Sequence, residues 1–422
     1  MAKIRFFFLQ LLFVWAPLIY AWFYIPFLGI DLSDIAERIP GLRWSWFESV
    51  KVMFLFFCVF LASVFHVIAL FQKKKGEISM TFFTTALIFF VWTALALFIN
   101  QHINPYFAFG NLEKHHGWFF YTALLMVFFL LRQNTSWEHK KLLSMSFWWF
   151  FGVTLYAFFQ KFWLDPLQDF YETRIDMHRV FSTLGNPNYL AGLVLMILPL
   201  LHETIFAHKA QHKALWDVHL WIIAGVLVYW TESYLAWIFF AAYVFVVVMN
   251  HIITEHKYRS LFWSIFILSV IVALWSIFSQ YCQDILALQK MQWFIARFYL
   301  WKTGAAALMH DIPHFLFGYG PDGFLSVSEY FRHPLLSVYE DPAYRIDRSH
   351  NVFIDFSLHF GVPLLWVVLF LVARVWRYLS AGKQLSLVFF ALYFSFNIPV
   401  LVHFLLILQI LASVERKRII RR

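Results

Sequence analysis

The chain has 422 residues, of which 62% are hydrophobic and only 14% are charged, and its mean hydropathy is +0.67. A soluble domain is about half apolar and about a quarter charged, so the composition excludes an ordinary soluble fold and predicts an integral membrane protein. The formal net charge is +9, but the basic residues lie in short connections between apolar runs, which argues against a nucleic-acid partner. Cys58 and Cys282 are the only cysteines, and they supply neither a disulfide framework nor a CxxC metal site.

Apolar segments of the length that crosses a bilayer recur along the chain. Lys3 and Arg5 precede a long apolar stretch without a small-residue cleavage site, which predicts a retained signal anchor. The predicted segments are residues 4–29, 46–71, 78–99, 117–131, 142–164, 187–206, 218–231, 234–250, 260–278, 351–373, 385–398 and 399–414. The last two form one stretch that holds Asn397 and Pro399, and it is either a tight hairpin or one kinked helix. The predicted fold is all-α and polytopic.

Lysine and arginine concentrate in every second connection, and cytoplasmic loops carry such an excess. These connections hold Lys73, Lys74 and Lys75; Arg132, Lys140 and Lys141; Lys209 and Lys213; Lys257 and Arg259; Arg374, Arg377 and Lys383; and the tail from Arg416 to Arg422. With both termini cytoplasmic the count is even, which favours about twelve transmembrane helices over eleven. The chain then divides into spans in residues 1–278, one large extracytoplasmic loop in 279–350, and C-terminal spans with a basic tail in 351–422.

The large loop has structure of its own. A helical pattern runs from about Leu288 to Met309, and Trp293, Arg297 and Trp301 share one of its faces. A turn-rich stretch follows from Phe317 to Phe324. The aromatic and amphipathic character predicts that the loop carries surface helices that lie on the membrane.

His350 is a candidate general base, because a histidine at the water-facing start of a helix can be neutral near pH 7 and accept a proton from a hydroxyl. Asp355 follows it on the next helix. The alternative is that Ser349 and Asn351 merely cap that helix and His350 is an interfacial residue.

Several cations are predicted in the same compartment: Arg179, Arg297, Arg348, Lys114 and Lys302. Guanidinium groups bind phosphate bidentately and stay charged, so converging arginines could hold a pyrophosphate and stabilise its charge as it leaves. The alternative for each is a side chain that snorkels to the lipid headgroups.

Three further patterns have local interpretations. Asn186-Pro187-Asn188 predicts a helix start. Gly318 to Gly323 matches G-x-G-x-x-G but follows no predicted strand, so a sharp turn is expected rather than a dinucleotide site. Lys114-His115-His116 is a weak metal signal without a third ligand. The sequence gives no reason to expect a metal or cofactor.

Ionisable residues also fall within the apolar segments: His66, Lys161, Glu232, His359 and His403. Such residues are expensive in lipid and can mark a transport path. Most lie near segment ends, so snorkelling is the preferred interpretation.

Three ordered motifs resemble the O-antigen ligase and polymerase superfamily of membrane glycosyltransferases. They are Arg179 with Gly-Asn-Pro-Asn-Tyr at 185–189; Arg297 and Trp301 followed by Gly318-Tyr-Gly320; and His350-Asn351 with Asp355 and Gly361. The resemblance covers roughly residues 100–370, and the family's plan of about twelve spans with one large periplasmic loop matches the whole chain. One departure is Thr231-Glu-Ser-Tyr234, where the family often has Ser-Arg and this chain has tyrosine in the arginine place.

The resemblance implies a metal-independent, inverting transfer of a glycan from undecaprenyl pyrophosphate to an acceptor hydroxyl at the outer face of the bacterial inner membrane. It implies that His350 is the essential loop histidine, that Arg297 contacts the pyrophosphate and that Arg179 and Arg348 add positive charge. Asn186, Asn188, Asn351, Asp355 and Lys114 are expected to support the site. The acceptor is a lipopolysaccharide core or another surface glycolipid, a second glycan in a polymerase, or a protein in an O-oligosaccharyltransferase. A transporter for the same lipid-linked glycans is the alternative from another class, although no internal repeat of the kind that transporters show is visible.

Overall fold

The computed structural model describes residues 2–16, 18, 48–72, 80–100, 102, 104–111, 115–162, 179–207, 213–252, 292–340 and 345–414. The regular structure within these ranges is helical, as predicted. The segment predicted at 260–278 lies outside the described residues.

The N-terminal part consists of helices that overlap the predicted apolar segments, although residues 17 and 19–29 of the first predicted segment lie outside the described residues. They are α1 (Ala2–Trp15), α2 (Glu48–Gln72), α3 (Met80–Asn100), α4 (Trp118–Arg132), α5 (Ser136–Lys161), α6 (Pro187–Ala207), α7 (Lys213–Thr231) and α8 (Tyr234–Ile252). A short 3-10 turn, Ser182–Leu184, precedes α6.

The large loop and the C-terminal part are built from shorter helices. These are α9 (Gln292–Leu308), α10 (Ile312–Phe317), α11 (Phe324–Val327), α12 (Leu336–Tyr339), α13 (Val352–Phe360), α14 (Val362–Trp376), α15 (Ala381–Tyr393) and α16 (Leu401–Ala412).

Two stretches of the described chain are long and apolar enough to cross a membrane by themselves: Lys51–Ile68 in α2 and Ser136–Lys161, which is α5. Shorter apolar helices occupy other predicted segments: Leu87–Asn100, Trp118–Arg132, His219–Thr231, Tyr234–Val247, Val362–Trp376 and Leu401–Ala412. These helices fit a membrane, whereas the count of about twelve spans stays a prediction.

The bundle has two distinct ends. At one end, called the site end below, Glu48 accepts a hydrogen bond from the backbone of Leu401 (2.7 Å), and Tyr393 donates one to the carbonyl of Asn188 (3.0 Å). At the other, called the far end, Arg5 reaches Gln133 (3.0 Å). The start of α15 also meets the end of α16 there, because Lys383 donates to Ser413 (2.8 Å). The last apolar stretch is therefore a hairpin and not one kinked helix.

Helix α6 lies at the centre of the largest apolar core. Its residues from Leu190 to Leu198 are almost completely buried against α7, α8 and α15. At Gly192 a Cβ would stand 2.7 Å from the ring of Phe394 and 2.9 Å from that of Tyr393, so glycine is needed for α15 to pack this closely.

The segment predicted at 351–373 is two helices and not one, because the chain breaks at Gly361. Gly361 has φ +84°, and a Cβ there would collide with the carbonyl of Leu316. The end of α13 is satisfied from other elements: Trp92 donates to the carbonyl of Phe360 (2.7 Å), and the Tyr319 amide donates to that of Leu358 (2.7 Å). Carbonyls at a break inside a bilayer need such partners.

Helix α10 packs beside α3, although none of its own side chains is buried, and the expectation that the large loop lies on the membrane surface stays a prediction. The Phe317 ring contacts the Trp92 ring, with centroids 4.9 Å apart. Trp92 lies eight residues before Asn100, where α3 ends at the site end, which is about 12 Å along the helix axis. Phe317 therefore contacts α3 about two turns before that helix ends.

Candidate functional site

The loop that carries His350 is fixed on both sides of that residue. The Ser349 amide donates to the Asp355 carboxylate (2.7 Å). The Asn351 side chain caps α13 by accepting from the amides of Phe353 (3.0 Å) and Ile354 (3.2 Å). The cap predicted for Asn351 is thus present, and both Asn351 and Asp355 hold the loop in place.

His350 itself has a left-handed backbone, with φ +58°, and is half-buried. A non-glycine residue in this region costs on the order of 1 kcal/mol or more and persists where its surroundings impose it. The anchored neighbours on each side supply that constraint.

Arg348, two residues before His350, is buried, with an exposed fraction of 3%. Its guanidinium forms an ion pair with Asp322, which is 1% exposed, and reaches Nε2 of His359 at 3.1 Å. An arginine only donates, so Nε2 of His359 accepts, and the ring's proton is on Nδ1, which faces the Tyr121 hydroxyl at 2.9 Å. The guanidinium predicted to bind pyrophosphate is therefore engaged inside the protein.

The charge of Arg348 is secure in this setting. Burial by itself would lower the pKa of the guanidinium, but Asp322, Tyr121, Asp355 and Asp347 together raise it above its usual range. Arg348 consequently stays a cation at every accessible pH.

Asp322 comes from the glycine-rich turn at 318–323. Its second carboxylate oxygen accepts from the Asn111 amide (2.8 Å), and Asn104 donates to the carbonyls of Tyr319 (2.9 Å) and Pro321 (3.0 Å). Gly318 and Gly320 have φ +70° and +78°, so the sharp turn predicted for these glycines is confirmed.

Helix α9 brings Arg297 to the same end of the bundle. At Gly304 a Cβ would stand 3.4 Å from Cβ of Ser349 and 2.9 Å from the Ile354 side chain, so α9 touches the His350 loop there. Arg297 lies seven residues earlier on the same face, about 10 Å along the axis. Its guanidinium is 3.7 Å from the Glu340 carboxylate.

Two aromatic contacts hold this face of α9 against the α15–α16 connection. Phe294 stacks on Phe396 with centroids 5.6 Å apart, and the Trp301 ring lies 5.1 Å from the same ring. Two residues before Phe396, the carbonyl of Phe394 accepts from the Val352 amide (2.8 Å). The connection therefore contacts both α9 and the start of α13.

Arg179 and the two asparagines form a separate group at the site end. Arg179 donates through Nε to the carbonyl of Thr231 (2.9 Å), and a terminal nitrogen is 3.5 Å from Oδ1 of Asn188. Asn186 accepts from the Asn188 amide (2.8 Å), and α6 begins at Pro187 as predicted. The asparagines thus shape the helix start, and Asn188 also contacts Arg179. Lys114 lies outside the described residues.

Sequence reasoning missed a buried cluster that joins α2 to three other elements. Lys51, 0% exposed, donates to the carbonyl of Thr183 (2.6 Å). Glu48 accepts from His116 (3.2 Å) as well as from Leu401. The available signal was a lysine and a glutamate near the start of an apolar segment, since ionisable residues in such segments are rarely without a role.

Two histidines predicted to snorkel are instead internal. His403 is 0% exposed and His359 is 2% exposed. Nδ1 of His403 accepts from the Val400 amide (3.1 Å), so Nε2 donates to the carbonyl of Tyr189 (3.0 Å). The snorkelling interpretation is wrong for both, because hydrogen bonds to other parts of the protein offset the free-energy cost of burying the imidazole rings.

The apolar helices fit a membrane protein, and the described residues form a buried polar network at one end of the bundle. Residues 219–369 match the sequence model of the O-antigen ligase family. The match supports membership of the O-antigen ligase superfamily and a glycosyltransferase of the ligase or polymerase type. It includes Arg297, Arg348 and His350, whereas Arg179 lies before it. No curated protein and no solved structure gave a significant match.

Proposed function

We propose that this protein transfers a glycan from undecaprenyl pyrophosphate to an acceptor hydroxyl, with His350 as general base and Arg297 on the pyrophosphate. The supporting observation is the packing of α9 on the His350 loop through Gly304 and Ser349. Gly304, which touches this loop, lies about 10 Å along α9 from Arg297. The proposed donor binds with its pyrophosphate at Arg297 and its reacting sugar carbon beside His350.

The proposed reaction is a direct displacement. The acceptor oxygen forms a bond to C1 of the sugar while the bond from C1 to the phosphate oxygen breaks, which inverts C1. His350 takes the proton of the attacking hydroxyl, and the lipid pyrophosphate leaves with the bonding electrons. Arginine stabilises the charge that develops on the leaving group, and the pyrophosphate linkage supplies the activation.

Arg179 is the proposed second contact to the donor. The family often has an arginine at the position of Tyr234, and Arg179 donates to the backbone of Thr231 in the same turn. We propose that its guanidinium supplies the charge that this turn lacks. Lys114 stays a further proposed contact.

The proposed orientation puts the site end outside the cytoplasm. Arg132 and Lys383 belong to the far end, where Arg132 donates to the carbonyl of Ala412 (3.3 Å). Loops rich in lysine and arginine stay inside. Two cations at the site end, by contrast, have nearby carboxylates: Arg348 has Asp322, and Arg297 has Glu340.

The experiment measures glycan transfer by membranes containing equal amounts of each variant. H350A and R297A should each reduce transfer by on the order of a hundredfold or more. H310A and R332A are the matched controls, since His310 is an exposed histidine of the same loop and Arg332 pairs with Glu329 at 3.0 Å. Transfer that survives in both H350A and R297A would rule the proposal out.

The acceptor class needs a separate experiment, because ligase, polymerase and protein O-oligosaccharyltransferase share the motifs. Deletion of the gene should leave long glycans unattached for a ligase, short glycans for a polymerase, and an unmodified protein for a protein glycosyltransferase. Transfer by the purified protein in detergent, where no gradient exists, would exclude a purely transport function.

A further inference from the structure

Asp322 and Arg348 lie 26 residues apart in sequence and form a buried ion pair next to the His350 loop. Neither side chain has more than 3% exposure, so a substrate would not reach either one. An isolated charge in this position would be costly, and each residue neutralises the other.

The pair is tied to three further elements. The second Asp322 oxygen holds the amide of Asn111, before α4. The guanidinium of Arg348 holds His359 of α13, and His359 holds Tyr121 of α4. A shift of Asp322 would therefore move Arg348 relative to both α4 and α13.

Arg348 is only two residues from His350, and the intervening Ser349 is fixed through its amide to Asp355. The anchors at 348, 349 and 351 together hold the left-handed backbone of His350. Removal of the Arg348 anchor would let the backbone before His350 relax toward an ordinary conformation.

We infer that Asp322 is a positioning residue for the transfer reaction: through its ion pair with Arg348 it holds the backbone that aims His350 at the acceptor hydroxyl. This inference rests on the proposed function. It gives the glycine-rich turn a function, because the turn brings the Asp322 carboxylate to the site end. It also gives Arg348 a role other than contact with pyrophosphate.

The test distinguishes a loss of His350 orientation from a loss of protein stability. In the full-length protein, D322N should lower kcat by on the order of ten- to a hundredfold, because small misplacements of a catalytic group have effects of that size. KM for donor and acceptor should change by less than about twofold, since binding groups are untouched. D322E should recover part of kcat, because it restores the charge. E329Q, which removes a carboxylate from the exposed pair with Arg332, is the control and should retain wild-type kcat.

The double variant D322N/R348M carries the test even where D322N alone accumulates poorly. Loss of both partners removes the unpaired buried charge and should restore much of the thermal stability, yet kcat should stay low because the anchor is gone. Wild-type kcat in D322N, or kcat that returns with stability in the double variant, would overturn the inference while H350A is inactive. Activity in H350A would instead contradict the proposed function.

Discussion

The hydroxyl of Tyr393 donates a hydrogen bond to the backbone carbonyl of Asn188 at 3.0 Å and lies 3.1 Å from the hydroxyl of Ser233. This side chain joins the end of α15 to the start of α6 and to the turn before α8. Its neighbour Phe394 holds the amide of Val352. The Arg179 group and the His350 loop are thus connected through two consecutive residues.

Y393F should lower the free energy of unfolding by about 1–3 kcal/mol, because it removes a hydrogen-bond partner from the part-buried carbonyl of Asn188 and from the buried hydroxyl of Ser233. Thermal unfolding in detergent measures the change. Y330F, at a tyrosine that is 80% exposed, should leave the unfolding temperature unchanged, and equal effects of the two variants would contradict the assignment.

Glu340 and Arg297 should have opposite effects on donor affinity. The Glu340 carboxylate, 3.7 Å from Arg297 in a partly exposed pair, competes with an anionic donor for the guanidinium. Since such pairs are worth about 0–1 kcal/mol, E340Q should lower KM for the donor by up to about fivefold, whereas R297A should raise it. Steady-state transfer kinetics measure KM for the donor in each variant. A rise in KM for E340Q would argue against Arg297 as a donor contact.

Lys51 and Glu48 should show strong coupling in stability. K51M leaves the Thr183 carbonyl and the Glu48 carboxylate in a buried site without the ammonium, which should cost about 3–5 kcal/mol. The double variant E48Q/K51M should be less destabilised than the sum of the single variants, because residues of one network do not act additively. If the changes in unfolding temperature of the two single variants add up to that of the double variant, the two groups act independently.

Acid should destabilise the protein through His116. Burial lowers the pKa of His116, against the opposing effect of its hydrogen bond to Glu48, and burial lowers the pKa of His115 as well. Between the lowered folded value and the ordinary unfolded value the unfolded chain binds more protons, so stability falls as pH falls through that window.

The measurement for His116 is the unfolding temperature between pH 7 and pH 5. The wild type should lose stability across this range, and H116Q should show a shallower slope, because the amide still donates to Glu48 but does not titrate. A slope as steep in H116Q as in the wild type would assign the effect to other groups.

The contact of α10 with Trp92, about two turns before the end of α3, predicts that α10 is protected from water-soluble reagents. Phe315 and Leu335 have similar exposure within the protein, 40% and 48%, so a difference between them reports the bilayer. In a background without Cys58 and Cys282, F315C should react slowly with a membrane-impermeant maleimide in proteoliposomes, and L335C should react fast. Equal rates would place α10 outside the hydrocarbon.

The sequence by itself determined the features that depend on residues within one or two turns of each other. Apolar segments of bilayer length became helices, Asn186-Pro187 started α6, Asn351 capped α13, and the glycines at 318 and 320 made a turn. Each of these follows from local backbone preferences or from the hydrophobicity of adjacent residues, which are visible without knowledge of distant partners.

The tertiary structure decided everything that depends on a partner far along the chain. The break at Gly361 exists because the carbonyl of Leu316 occupies the space a side chain would need. Burial of Lys51 requires the carbonyl of Thr183, 132 residues away, and the charge of Arg348 is balanced by Asp322 from another turn. Whether a charged group lies at the lipid headgroups or in the protein interior depends on the partners available in the interior. Those partners are brought together only by packing of the helices.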